Sequence, residues 1–179
     1  PKKYMGFFDT EKGVKEYIEM TSGYDGTELI NIFKNFLPEG SSVLELGMGP
    51  GKDLDLLKKI YRTTGSDNSK IFLENYKQKN PFADLLLLDA VTLQTDRKFD
   101  AIFSNKVLHH LTTEELKNSL QNQKKVLNPK GILFHSFWKG NKTENIEGLL
   151  FVYYEMESLT KLFEPDLEIL ELKTYTEFQ

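Results

Sequence analysis

The sequence predicts a doubly wound α/β domain, a mostly parallel sheet with helices on both faces. Three observations predict it. First, Ser42-Val43-Leu44-Glu45-Leu46 is a short apolar run followed by glycine at 47, 49 and 51. Leu54, Leu56, Leu57 and Ile60 then recur at helical spacing, so a buried strand, a glycine turn and a helix N-terminus succeed one another. Second, further short apolar runs, 85–88, 99–103 and 132–134, alternate with helical segments, the order expected of βα units. Third, 179 residues with 39% hydrophobic and 28% charged side chains suffice for one domain around a single core.

The elements are justified in order. Residues 1–38 carry helical spacing through Val14, Tyr17 and Ile18, then Leu29, Ile30, Ile32, Phe33, Phe36 and Leu37. Thr21-Ser22-Gly23-Tyr24-Asp25-Gly26 separates two helices, and Pro38-Glu39-Gly40 stops the second before the first strand. The helix over 54–61 follows the glycine turn, with Asp53 placed to cap or charge its N-terminus. A short second strand is expected over 62–66 and a helix over 70–79. After Pro81, the four leucines of Ala83–Ala90 predict a fully buried third strand. Residues 98–105 predict the fourth strand. Thr112-Thr113-Glu114-Glu115 predicts the N-cap of a helix over 114–127, and Asn128-Pro129-Lys130-Gly131 a stop before a fifth strand over 132–138. Polar residues 139–148 read as a loop, 155–163 as a helix, and the alternation over 167–175 as a sixth strand.

The glycine pattern selects the cofactor. The dinucleotide fingerprint G-x-G-x-x-G would need glycine at 52, where Lys52 stands; the third glycine comes one residue early, at Gly51. The string Leu44-Glu45-Leu46-Gly47-Met48-Gly49-Pro50-Gly51 resembles motif I of the class I S-adenosylmethionine (SAM) dependent methyltransferases. Three later elements resemble the same family in order: Gly65-x-Asp67, the Asp89-Ala90 pair after the leucine run, and Phe99-Asp100-x-Ile102 with Leu108-His109-His110-Leu111. The resemblance spans roughly residues 40 to 176. It implies a Rossmann-like methyltransferase fold of a single domain over 1–179, with 1–38 as an N-terminal helical lid and 39–179 as the cofactor-binding core. The family's closing hairpin is only half visible, so the last strand is expected to be missing or the sheet to stop at six strands.

The resemblance also implies a cofactor set. The backbone of Gly47, Met48, Gly49 and Gly51 lies against the methionine part of SAM, and Glu45 meets its ammonium. Asp67, twenty residues after Gly47 and followed by Asn68, holds the ribose hydroxyls; the competing reading makes Asp67 or Ser69 the cap of the next helix. Asp89 and Ala90 meet the adenine, and Asn105 lines the cleft. Tyr24 and Tyr17 are candidate lid residues, although Tyr17 equally suits plain helix packing. His109 or His110 is a candidate catalytic base, His109 foremost, set against a packing role; His109, Trp138 and Tyr24 are candidates for substrate contact. His135 reads as a satisfied structural histidine.

Composition narrows the function. The absence of cysteine removes disulfides, thiolate metal sites and a cysteine nucleophile, and fits a cytoplasmic protein. Three histidines without i,i+4 spacing predict no metal site. A net charge of −4 provides no global basic field for nucleic acid or anionic membrane, and no leader or membrane-spanning apolar run is expected. The sequence therefore predicts methyl transfer from SAM to a small-molecule acceptor, by a monomer or homodimer. Two rivals stand beside it: a non-catalytic SAM-binding or partner-binding module, and an NAD(P)-dependent oxidoreductase.

Overall fold

The computed structural model describes residues 6–20 and 26–177. Strands β1 (Ser42–Glu45), β2 (Arg62–Asp67), β3 (Leu85–Leu87), β4 (Phe99–Asn105) and β5 (Leu127–Ser136) form one sheet in the order β3-β2-β1-β4-β5, every pair parallel. Around it lie α1 (Glu11–Met20), α2 (Thr27–Phe33), α3 (Lys52–Leu57), α4 (Lys70–Lys79), α5 (Thr113–Val126) and α6 (Met156–Phe163).

Strand alternation sends successive side chains to opposite faces. Val43, Ala101 and Phe103 pack with Ile30 and Phe33 of α2 and Leu57 of α3. Leu44, Leu46 and Ile102 pack with Leu116 and Leu120 of α5 and Leu159 of α6. The strand order reverses between β1 and β4, and the crevice beyond their carboxyl ends is where ligands bind in such sheets.

Local chemistry sets the helix starts. Ser69 caps α4 by accepting from Phe72 N–H. Thr112 and Glu115 exchange side-chain and backbone hydrogen bonds at 3.0 and 3.1 Å, a complete capping box for α5. At α3 the N-cap is Gly51 and Asp53 charges the first turn, its carboxylate accepting from Gly26 N–H at 2.7 Å and from Asn105 Nδ2 at 3.0 Å.

Four expectations need correction. The third strand is shorter than the leucine run and lies at the sheet edge, so Leu87 is 61% exposed instead of buried on both faces. The Asn128–Gly131 turn does not precede β5 but sits inside it as a bulge. Phe99 pairs with Leu127 and Ala101 with Ile132, while Lys130 adopts φ +63° and Asn128 donates to Asp100 at 2.9 Å. The expected loop over 139–148 contains β6 (Thr143–Ile146), which pairs antiparallel with β7 (Leu149–Val152) across Glu147-Gly148. Both turn residues have positive φ, +52° and +84°, the conformation that suits a two-residue hairpin. The expected sixth strand does not form. Residues 167–177 run irregularly and bring Glu177 back to pair with Lys106 at the end of β4.

Candidate functional site

The site is built at the carboxyl end of β1. Leu46 N–H bonds to Phe103 O and Met48 N–H to Ser66 O, so the chain leaves β1 tied to both neighbouring strands. Gly51 N–H then closes back on Met48 O at 3.0 Å. Gly47, Gly49 and Gly51 all have positive φ, which glycine alone reaches without cost. The three differ in surroundings. A Cβ on Gly51 would strike the Tyr76 ring at 2.3 Å and one on Gly47 would strike Val107 at 2.5 Å, whereas one on Gly49 would meet only Tyr17 at 3.6 Å. The Met48 side chain turns into the core beside Leu54 and Leu73, so its backbone alone belongs to the turn.

Three carboxylates converge on this turn. Glu45 is 2% exposed, and its Oε1 is buried without a hydrogen-bond partner. Burial, then the charges of Asp53, Asp67 and Asp55, push its carboxyl well above the usual range. Asp67 accepts from Gly49 N–H at 2.9 Å and Ser69 N–H at 2.8 Å. Burial raises its carboxyl, and the backbone donors Ser69, Gly49 and Asn68 pull it back. Asn68 itself is exposed. Of the two candidate caps of α4, Ser69 holds the N-cap position and Asp67 does not.

The turn after β3 is organised by Asp89. Its Oδ1 accepts from Val91 N–H at 2.7 Å and Thr92 N–H at 3.2 Å, with Ala90 between them. Asn105 bridges the two halves of the crevice: its amide donates to Asp53 and its oxygen accepts from Ser136 Oγ at 2.8 Å.

The N-terminal segment lies over the turn. Tyr17 of α1 stands beside Gly49, edge-on to Phe8 at 5.2 Å and to Phe72 at 5.9 Å. Burial and the charges of Asp67, Asp53, Glu45 and Glu177 push its hydroxyl up to about 12. Phe8 O accepts from Ser69 Oγ at 2.6 Å, and the Phe8 ring reaches His110 at 6.3 Å. Tyr24 lies outside the described residues.

On the β4–β5 side, His109 and His110 form the short 3-10 turn Leu108–His110. His110 Nδ1 lies 2.7 Å from Leu150 O, and His110 Nε2 lies 3.1 Å from His109 Nε2. Burial lowers both imidazoles, His109 to about 3, and so favours the neutral ring in each. A carbonyl only accepts, so His110 carries its proton on Nδ1 and its Nε2 accepts from His109 Nε2–H. This leaves a bare lone pair on His109 Nδ1, a buried atom with no hydrogen-bond partner. Trp138 is edge-on to His109 at 5.1 Å and stacks on Phe151 of β7 at 5.2 Å. The hairpin that sequence reasoning took for a loop thus supplies one wall of this side.

Sequence reasoning missed Asp53 as a member of the acidic cluster, and Phe151 and Leu150 as partners of the histidines. The available signals were the two-residue Glu147-Gly148 turn and the apolar run behind it. Among the described residues no cluster of His, Asp and Glu suits a metal, and no helix is long and apolar enough to cross a membrane.

A family model described as a methyltransferase domain matches residues 43–131, which run from the start of β1 to the bulge in β5. Residues 43–131 belong to the methyltransferase domain family. The chain is 32% identical over 114 residues to a tRNA (carboxymethyluridine(34)-5-O)-methyltransferase of Arabidopsis thaliana, covering 63% of this chain and 28% of the relative. It is 27% identical over 117 residues to a dTDP-3-amino-3,4,6-trideoxy-alpha-D-glucopyranose N,N-dimethyltransferase of Streptomyces venezuelae, covering 64% and 49%. It spans between 28% and 49% of the length of the curated relatives it matches. Among solved structures, a SAM-dependent methyltransferase of Clostridium acetobutylicum superposes with TM-score 0.70 at 15% identity, covering 94% of each chain. Streptomyces venezuelae DesVI gives TM-score 0.69 at 19% identity, covering 87% of this chain and 89% of that one. These two likenesses establish the fold of the chain.

Proposed function

We propose that this chain binds SAM at the β1 turn and directs its methyl group to a nitrogen or oxygen nucleophile on a small molecule. Glu45 carries the reading. A buried carboxylate with an unpartnered oxygen, beside Asp53 and Asp67, calls for a cation. SAM brings two positive centres, ammonium and sulfonium, and supplies an already activated methyl group. The pyrophosphate of a dinucleotide would bring negative charge to the same carboxylates, which counts against the oxidoreductase reading.

The other roles follow from position. Glu45 takes the ammonium, and the backbone of Gly47, Met48, Gly49 and Gly51 lines the methionine part. Asp67, with Asn68 beside it, accepts from the ribose; Asp89 and Ala90 face the adenine; Asn105 closes the floor between the halves. The segment 1–38 acts as the lid on the 39–179 core, through Tyr17 and Phe8. His109 and Trp138 face the acceptor. An imidazole held near 3 takes up no second proton at neutral pH, so His109, with its one N–H on Nε2, serves through Nδ1 as a hydrogen-bond acceptor that orients an N–H or O–H nucleophile and not as a proton store. With the methyl donor activated, positioning supplies much of the catalysis. The net charge of −4 supports a small acceptor over nucleic acid. The cysteine-free chain fits a cytoplasmic setting.

The test is calorimetric titration with SAM, S-adenosylhomocysteine (SAH) and NADH, followed by a turnover panel of amine and hydroxyl acceptors. Binding of the first two with turnover of one acceptor class is the expected result. Tight SAM binding without turnover of any acceptor would leave a binding module, and binding of NADH alone would overturn the reading. Asp67→Ala should weaken SAM binding by about 1.5–3 kcal/mol, the scale of hydrogen bonds to a charged group; a folded variant with full affinity would sink the ribose assignment. His109→Phe should keep the packing on Trp138 and Phe151 and leave SAM affinity unchanged while lowering turnover about tenfold or more. Unchanged turnover would remove His109 from the acceptor site.

A further inference from the structure

A continuous line of hydrogen bonds crosses the core from β4 to the turn after β3. Ser104 Oγ lies 2.7 Å from His135 Nδ1, and His135 Nε2 lies 2.7 Å from Gln123 Oε1. Gln123 Nε2 lies 2.9 Å from Ser119 Oγ, and Ser119 Oγ bonds to the Ala90 carbonyl oxygen. Ser104, Ser119 and Gln123 are each 0% exposed. Nothing in the cofactor or acceptor assignments above uses these four side chains.

The far end of the line fixes every proton in it. The Ala90 carbonyl only accepts, so Ser119 donates to it. Ser119 Oγ is then free to accept from the Gln123 amide, which leaves Gln123 Oε1 to accept from His135 Nε2–H. Burial pushes His135 down to about 3, so the ring is neutral and its Nδ1 is a lone pair that Ser104 O–H fills. Turning the Gln123 amide over would leave Ala90 O without its donor, so only one direction satisfies all the groups.

Alternation along the strands explains the meeting. Ser104 follows Ile102, and His135 follows Leu133, on the sheet face covered by α5. Ser119 and Gln123 are four residues apart on α5, hence on one side of the helix. A second tether runs from the same helix, Asn122 Nδ2 to Val91 O at 2.8 Å. Thus α5 grips the Asp89–Val91 turn at two successive carbonyls, while His135 ties α5 to the sheet.

We propose that His135 is a positioning residue for adenine recognition: through Gln123 and Ser119 it holds the Ala90 carbonyl, and so fixes the edge that Asp89 and Ala90 present to the base. Apolar side chains of similar size would fill this space without desolvating four polar groups, whereas a line with a single satisfied arrangement holds the loop in one place. The proposal rests on the assignment of Asp89 and Ala90 to the adenine.

The experiment measures the affinities of SAH and of S-inosylhomocysteine, in which a carbonyl replaces the adenine amine, for wild type, Asp89→Ala, Ser119→Ala and His135→Phe, with thermal melts in parallel. Wild type should prefer SAH at least about tenfold, and Ser119→Ala and His135→Phe should each reduce that preference at least about threefold. A structural role alone would lower the melting temperature and leave the ratio of the two affinities unmoved. Where His135→Phe does not fold, Ser119→Ala decides, because it deletes a single hydroxyl. Folded variants with the full wild-type preference overturn the positioning role alone. A wild type without preference, unaffected by Asp89→Ala, overturns the adenine assignment and the proposal together.

Discussion

Glu45→Gln is expected to melt at a higher temperature than wild type in the absence of cofactor and to bind SAM about ten- to a hundredfold more weakly. Both effects come from one carboxylate. Glu45 is buried with an unpartnered oxygen near three other acids, and its carboxyl is raised. A raised carboxyl means that the folded chain holds the proton more tightly than the unfolded one. Stability therefore falls as pH rises from the ordinary glutamate value through the folded one. The amide is close in shape, carries no charge, and adds a donor for Asp53 or Asp67, so removing the charge should restore about 1–3 kcal/mol. The same change deletes the charge proposed to meet the cofactor's ammonium. Melting curves from about pH 5 to about pH 8 should slope for wild type and flatten for the variant. Equal melting temperatures together with intact SAM affinity would defeat the argument.

Alanine at Gly51 should cost the fold, and alanine at Gly49 should cost the cofactor. At Gly51, φ is +92° and the new methyl would lie 2.3 Å from two atoms of the Tyr76 ring. That ring cannot retreat freely: its hydroxyl donates to Asp55 at 2.6 Å and accepts from Lys58 Nζ at 3.0 Å. Left-handed backbone and overpacking together should destabilise Gly51→Ala by about 2–5 kcal/mol, read from denaturant unfolding. At Gly49 the methyl meets only the Tyr17 ring at ordinary contact distance, in the space between the turn and α1. Gly49→Ala should lose about 1–2 kcal/mol of stability to backbone strain and remain folded, while SAM binding falls at least about tenfold. If Gly49→Ala bound SAM normally, the cofactor would not lie over this turn.

These contrasts show why three glycines that look alike in sequence are not alike in the molecule. The glycine turn itself was legible in the strand-turn-helix pattern, because a tight turn needs positive φ whatever surrounds it. That Gly51 is pressed by Tyr76 and Gly47 by Val107 depends on residues 25 and 60 positions away. The helix over 70–79 and the capping box of α5 were legible for the same reason as the turn: caps and apolar spacing act within a few residues. The leucine run misled because it carries no information about strand order. The same four leucines would be buried in the middle of the sheet, and only the order β3-β2-β1-β4-β5 exposes Leu87. The alternation over 167–175 misled similarly, since a strand exists only where another strand meets its backbone groups.

By itself the sequence determined the sheet-and-helix class, the glycine turn, the spacing from Gly47 to Asp67 and Asp89, and through them the resemblance to the methyltransferase family. Each rests on local chemistry or on distances along one chain. Tertiary structure alone decided that Glu45, Asp53 and Asp67 share one buried field beneath Tyr17, that a hairpin walls the histidine pair, and that His135 reaches Ala90 through α5. Those are meetings of residues far apart in sequence, brought together by strand order and helix packing, and neither is written in any short stretch of the chain.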